Sequence, residues 1–301
     1  MTVNGFSLST SLENPWARRW DSLKRAWYKF SRNWLSVLGL AMVVLIVFLA
    51  IFAPYVAPYP QHSGKFVDFK SSNQSPSLQH LMGTDTMGRD ILSRIIFAFG
   101  NALLMAVCVL VISVPIGVLT GLLAGYYVGT WVDTTIMRIT DVFVSIPSVI
   151  LALSIAAMLK PTLMNSMMAV TISWWPWYTR MTYGLASSIR NEYYVQAAEL
   201  TGASKLYILF REILPNCSSS ILTKIALDVG WVTLVGASLS FVGLGEQPPN
   251  PALGTMISEG VERMPDQWWI AVFPALAIML IVLGFNLFGD GIRDMLSPEE
   301  A

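Results

Sequence analysis

The chain has 301 residues, 54% of them hydrophobic and only 13% charged, with 19 Lys plus Arg balanced by 19 Asp plus Glu. Soluble domains carry roughly 25% charged residues, so a large soluble domain is excluded and a polytopic membrane domain is what remains. A formal net charge of zero leaves no electrostatic footprint for nucleic acid.

Residues 1–34 form a basic tail. Arg18, Arg19, Lys24, Arg25, Lys29 and Arg32 are opposed only by Glu13 and Asp21, and Trp16, Trp20, Trp27 and Trp34 interleave with them. This composition predicts an amphipathic helix over 16–34 lying in the membrane interface, and its basic excess places the N-terminus in the cytoplasm. The apolar run 35–53 is long enough to cross a hydrocarbon core of about 30 Å. Pro54 blocks the small-residue position after Ala53, so the run reads as a retained span and not as a cleaved signal.

Residues 54–98 read as a polar, irregular extracytoplasmic loop containing Pro54, Pro58, Pro60 and Pro76. Its two histidines, His62 and His80, are expected to be solvated rather than to bind metal. Near its end, Gly83 and Gly88 have the spacing of a phosphate loop, but Arg89 and Asp90 stand where Lys and Ser or Thr are required. The stretch from Gly83 to Asp90 therefore reads as a glycine-rich turn, with Asp90 capping the helix that follows.

A second span is predicted over 101–127. Gly117, Gly121 and Gly125 recur every fourth residue and share one helix face, where small residues let another helix approach closely. Pro115 is a candidate kink. A short inner loop, 128–136, holds Asp133. The third span is expected over 139–159, with Pro147 inside it, and the fourth over 163–183. In the fourth, Trp174, Trp175, Trp177 and Tyr178 fit either an interfacial aromatic belt or a substrate path, the belt being the commoner arrangement.

Between the fourth and fifth spans lies the one long polar, helix-prone stretch of the chain, within the loop 184–217. Strong helix formers surround Ala197, Ala198, Glu199 and Leu200; Gly202 interrupts, and Pro215 closes the segment. A short helix, a glycine turn and a second short helix is the simplest reading. The alternative, a helix lying on the lipid surface, lacks the basic excess that favours anionic lipid, since Glu192, Glu199 and Glu212 offset Arg190, Lys205 and Arg211.

The fifth span is expected over 218–244. Asp228 lies about ten residues in, or ~15 Å at helical rise, near the midplane, where an Asp costs about 2.5–3.5 kcal/mol. Lys224 stands one turn earlier and can pair with it at i, i+4. Structural pairing and a polar translocation path both fit Asp228 and Lys224. An acidic loop, 245–267, precedes the sixth span, 268–288. Cys108 and Cys217 fall at different depths, so no disulfide is expected.

Ala197, Ala198, Gly202, Leu214 and Pro215 stand at the spacing of the coupling-loop motif of bacterial ABC-importer permeases, Glu-Ala-Ala, three residues, Gly, nine residues, Ile-x-Leu-Pro, and the segment resembles it. It departs at Gln196, which replaces the motif's Glu, and at Glu212, which replaces its Ile. The Gly83–Asp90 turn and the stretch from Asn286 to Asp294 resemble signatures of the dipeptide, oligopeptide and nickel permeases. The resemblance implies an all-α polytopic membrane protein with six transmembrane helices and the type I ABC importer permease fold. In it, span 35–53 precedes a five-helix core, 99–290, and a cytoplasmic tail, 291–301.

By the same resemblance the chain is a non-catalytic subunit, the one usually encoded second, of an ATP-driven, binding-protein-dependent importer. The implied partners are a sister permease, two cytoplasmic ATPases and an extracytoplasmic solute-binding protein, with both termini on the cytoplasmic side of the cytoplasmic membrane. Gln196, Ala197, Ala198, Glu199, Gly202, Ala203, Leu214 and Pro215 are the implied ATPase-coupling residues. No cofactor is expected on this chain; ATP and Mg2+ belong to the ATPase subunits. Peptides are the expected cargo, with nickel chelates, glutathione-like compounds and oligosaccharides as alternatives. An autonomous channel or secondary carrier is the reading from a different class. A proton-coupled carrier would call for several intramembrane acids or histidines, and Asp228 is the one acid placed deep in a span. No ATP-binding, zinc-hydrolase or serine-hydrolase motif is present in the sequence.

Overall fold

The computed structural model describes residues 15–296, except for the side chains of residues 15–19 and 21–23. Glu13, the side chains of Trp16, Arg18, Arg19 and Asp21, and residues 297–301 of the expected tails lie outside the described residues. The described residues are almost wholly helical, with one isolated β-bridge, between Thr84 and Asp90.

Helix α1 (Pro15–Arg32) ends one residue before α2 (Trp34–Ile51) begins. Asn33 makes the break: its backbone is extended and its side-chain oxygen accepts from the Leu35 N–H at 3.1 Å, which satisfies one of the open donors at the start of α2. A short helix α3 (Ala53–Val56) and two 3-10 turns, Pro60–Ser63 and Phe69–Ser71, follow. Helix α4 (Ile91–Tyr126) starts about ten residues before the expected second span and is 36 residues long. Its first turns contain Ser93 and Arg94, which read as loop because they are polar; both are fully buried.

The expected inner loop before the third span shrinks to residues 127–130, since α5 (Trp131–Val144) already contains Asp133. The third span is not one rod. Helix α5 and helix α6 (Ser148–Ala157) meet at 81°. Pro147 causes the break: it disfavours helical backbone at Ile146, and it is itself extended, with ψ 128°. Helix α7 (Leu163–Ile189) and helix α8 (Tyr193–Leu200) come next, then α9 (Lys205–Tyr207), which runs through a π-turn, Ile208–Ile213, into α10 (Leu214–Phe241). The acidic loop 245–267 contains a helix that sequence periodicity did not single out, α11 (Leu253–Val261). Helix α12 (Trp269–Leu296) then continues through Gly289 and Gly291, past the end of the expected sixth span.

Among the described residues, four helical stretches are long and apolar enough to cross a membrane: α2, α4, Lys205–Phe241 and α12. The bent pair α5–α6 makes a fifth if taken as one span. A sixth requires α7, which has the length, 27 residues, but carries Arg180 and several Ser and Thr.

Helices α4 and α7 form the most extensive pairing of the bundle, and α12 packs on α2 and α10. The glycine stripe of α4 faces α7. A Cβ on Gly121 would stand 2.5 Å from the Thr179 carbonyl oxygen, and one on Gly125 would stand 2.7 Å from the Ala186 Cβ; Gly117 meets Tyr178 and Trp175 in the same way. The two backbones approach this closely because these positions lack side chains, which lets dispersion act over the whole contact.

Candidate functional site

The polar segment after α7 folds as a compact unit at the end of the bundle where α4 terminates. Helix α8 closes with a full Schellman motif. The Ala203 N–H bonds the Ala198 carbonyl at 3.0 Å and the Gly202 N–H bonds the Glu199 carbonyl at 3.0 Å. Gly202 takes φ +81°, a conformation that costs glycine no Cβ penalty. Ser204 caps the next helix, its hydroxyl accepting from the Tyr207 N–H. Pro215 does not close this segment, contrary to expectation, because helix continues through it. A proline ring would crowd the carbonyl four residues back in a regular α-helix, and the wider π-turn at Ile208–Ile213 directly precedes it.

One side of α8 is held by the bundle. Val195 is fully buried among Ile208, Leu209 and Ile213, and Ala198, Ala203 and Leu214 pack partly against the same core. Glu199 accepts a 3.0 Å hydrogen bond from the Tyr126 hydroxyl at the end of α4. Arg190 and Lys205 lie over the Tyr126 and Tyr127 rings at 5.4 and 5.3 Å, distances at which a cation is attracted to the ring face. Gln196 reaches back to the Asn191 carbonyl at 3.0 Å. The other side is open. Gln196, Ala197 and Gly202 are exposed, and so are the apolar Tyr193 (87%), Leu200 (89%) and Leu206 (67%).

Asp228 is not open to solvent. It is 3% exposed, and both carboxylate oxygens have partners. The Trp174 indole N–H donates to Oδ2 at 2.9 Å and the Lys224 ammonium donates to Oδ1 at 3.1 Å. Lys224 also lies 5.2 Å from the centre of the Tyr178 ring. Trp174 and Tyr178 are thereby buried inside the bundle, so the belt reading fails for these two residues; Trp177 is the exposed member of the cluster. Lys224 and Asp228 also border a cleft of about 520 Å³ between α10 and α12, with Thr223, Asp290 and Arg293 on its walls.

At the opposite end the structure shows a polar cluster that sequence reasoning missed. His62 and His80 are buried, not solvated. His62 Nδ1 accepts from the Asp90 N–H at 2.9 Å, and His80 Nδ1 lies 2.9 Å from Asp90 Oδ1. The other Asp90 oxygen caps α4 by accepting from the Ser93 N–H at 2.8 Å. Asp85 accepts from the Arg89 N–H and from the Arg89 Nε, at 2.9 and 2.7 Å, and stands 3.6 Å from Arg94 Nε. Glu259 of α11 adds a carboxylate 3.9 Å from Arg89, and burial raises its pKa above the usual value. The signal for this cluster was local: five charged or imidazole side chains within 80–94 sit beside two turn glycines, a density that an exposed loop does not need.

A bundle of long apolar helices of this kind is that of a multi-spanning membrane protein, with one short, partly apolar helix left open between two of them. The chain belongs to the family of binding-protein-dependent transport system inner membrane components, which matches residues 117–300. Residues 22–76 match the N-terminal membrane domain of oligopeptide transport permease C. The chain is 40% identical over 280 residues to the dipeptide transport system permease protein of Escherichia coli, covering 92% of this chain and 93% of that one. It is 38% identical over 281 residues to the probable D,D-dipeptide transport system permease protein of the same organism, covering 93% of each. A glutathione transport system permease protein of Escherichia coli is 41% identical over 273 residues, covering 91% of this chain and 89% of its own length.

Proposed function

We propose that the chain is one of two permease subunits of an ATP-driven importer of short peptides, and that α8 is the element by which cytoplasmic ATPases move it. The observation that carries this reading is the two-sidedness of α8. Val195 and Glu199 anchor it to the bundle, while Tyr193, Ala197 and Leu200 stay open. Exposed apolar side chains on a helix closed by a Schellman motif are the chemistry of a docking surface. Ala197 and Gly202 on the open side permit close approach of a partner.

In this reading the end of the bundle carrying α8 faces the cytoplasm, as the basic residues of α1 favour, and the loop 54–90 with α11 faces outward to a solute-binding protein. ATP and Mg2+ act in the ATPase subunits, and this chain contributes the path and the mechanical link. The peptide cargo is supported by the relatives named for dipeptide and D,D-dipeptide transport. A second cargo reading, glutathione, is favoured by the relative named for glutathione transport; it is itself a tripeptide and falls in the same chemical class.

Co-purification of the tagged chain, expressed with a sister permease and ATPases, tests the coupling role. Leu200→Asp is expected to lose the ATPases and keep the sister permease. Full retention of the ATPases in that variant contradicts docking through α8. Competition of labelled dipeptide uptake by glutathione and by unlabelled dipeptide separates the two cargo readings.

A further inference from the structure

We propose that Trp174, Asp228 and Lys224 form a cross-brace that makes α7 and α10 move as one body when α8 is loaded. The inference rests on the coupling role proposed for α8 and adds the residues that carry the load onward. Helix α8 lies in the chain between α7 and the continuous helix Lys205–Phe241. A force on α8 therefore has two outcomes. The flanking helices travel together, or they splay and the movement is lost.

Apolar packing links α7 and α10 in part, both directly and through α4, but that contact can slide. Helix α7 is bonded closely to α4 through the glycine stripe, whereas α10 packs mainly on α12. The two flanking helices thus differ in their principal neighbour, while touching each other over a smaller area. The polar node ties them directly. Asp228 on α10 receives the Trp174 N–H from α7 at 2.9 Å and Lys224 from its own helix at 3.1 Å. Lys224 returns to α7 through the Tyr178 ring at 5.2 Å. These three contacts close a loop across two helices, and Asp228 is buried at its centre. A buried carboxylate with both oxygens paired has one favourable arrangement, because losing Lys224 leaves its charge uncompensated and losing Trp174 leaves an oxygen without its donor. The brace acts at a distance. Trp174 lies roughly 20 Å along α7 from its α8 end, and Asp228 roughly 35 Å along the helix that begins at Lys205, at 1.5 Å per residue.

The test uses the complete reconstituted importer and measures cargo taken up per ATP hydrolysed. Trp174→Phe keeps the ring and removes the donor, and Lys224→Met keeps the stem and removes the charge. Both are expected to retain the ATPases and the half-saturating cargo concentration while uptake per ATP falls about fivefold or more, the lower end of usual coupling factors. Lys224→Arg keeps the cation and is expected to restore the ratio. An unchanged ratio in Trp174→Phe and Lys224→Met overturns the brace, as does uptake that falls only in step with the amount of folded complex. A shift in half-saturating cargo with the ratio intact also overturns it and assigns the pair to the cargo path. A wild-type complex without ATPases sinks the coupling role itself, and the brace with it.

Discussion

Both ends of the bundle expose large apolar side chains, Phe69, Leu78 and Leu81 at one and Tyr193, Leu200 and Leu206 at the other, but only one of them buries a cluster of charge. At the end formed by residues 54–90 and α11, polar groups are buried and partnered within the chain: His62, His80, Asp85, Arg89 and Asp90 are all under 9% exposed. At the α8 end, apolar groups stand open, and Leu200 is 89% exposed. Burying charge is costly unless it is paired, and exposing large apolar groups on an ordered helix brings no folding benefit. The charged cluster of the first end is therefore satisfied within the chain, and the open side of α8 fits the docking surface proposed above. A mutation should reveal the difference. At the first end it should cost stability, and at the second it should cost assembly and leave stability alone.

The largest effect is expected at Asp85, which accepts from Arg89 and is the carboxylate paired at 3.6 Å with Arg94, whose guanidinium makes no hydrogen bond among the described residues. Asp85→Ala leaves two buried guanidinium groups without it and should destabilise by about 3–5 kcal/mol, read as a lowered midpoint of thermal unfolding in detergent. A change within ~0.5 kcal/mol would class this end with ordinary surface positions. Next comes the α4–α7 contact between the two ends. Gly121→Ala places a methyl against the Thr179 carbonyl and should cost about 1–3 kcal/mol by overpacking, measured in the same way.

A smaller effect is expected from pH. Burial holds the His62 imidazole below its ordinary value of 6.5, with His80 adding to the depression while Asp90, Asp85 and Asp68 oppose it. Since the folded value lies below the unfolded one, His62 contributes its full stability above pH 6.5 and loses it as pH falls through the folded value. Its Nδ1 must stay unprotonated to accept from the Asp90 N–H. Amide hydrogen exchange across residues 54–90 should quicken at pH 5 relative to pH 7.5, by more than in His62→Gln, after correction for intrinsic rates; the α8 segment should show no such difference. The smallest effect on stability is expected at Leu200→Ala, within about 0.5 kcal/mol of wild type in thermal unfolding, although it should weaken ATPase retention. A large loss of stability there would break the contrast between the ends.

The sequence made much of this legible where the physics is local. The period-four glycines of α4, the Asp90 cap and the helix–glycine turn of the α8 segment depend on neighbours within a few residues, and each stands as its pattern implied. What it hid was burial, set by how segments pack together. The start of α4 reads as loop because Ser93 and Arg94 are polar, yet Asp85, Asp90 and α11 enclose them. The histidines look solvated until Tyr59 and Phe66 are seen stacked on His62 at 5.0 and 3.9 Å. Trp174 looks like a belt residue until Asp228, 54 positions later, accepts from it. Pro147 was visible, but that it breaks the span through an 81° bend is seen only in the structure. Pro215 was read as a stop, and a π-turn just before it lets the helix go on.

The most direct test of the open end is cysteine labelling at the tip of α8. Leu200→Cys is compared with the wild-type chain, whose Cys108 and Cys217 set the background, for its rate of reaction with a membrane-impermeant maleimide in inside-out vesicles, with and without the ATPase subunits. The account predicts rapid labelling of the permease alone and strong protection once the ATPases are present. Equal labelling in both conditions would show that the ATPases do not cover α8, and would contradict the assignment of this end as the coupling surface.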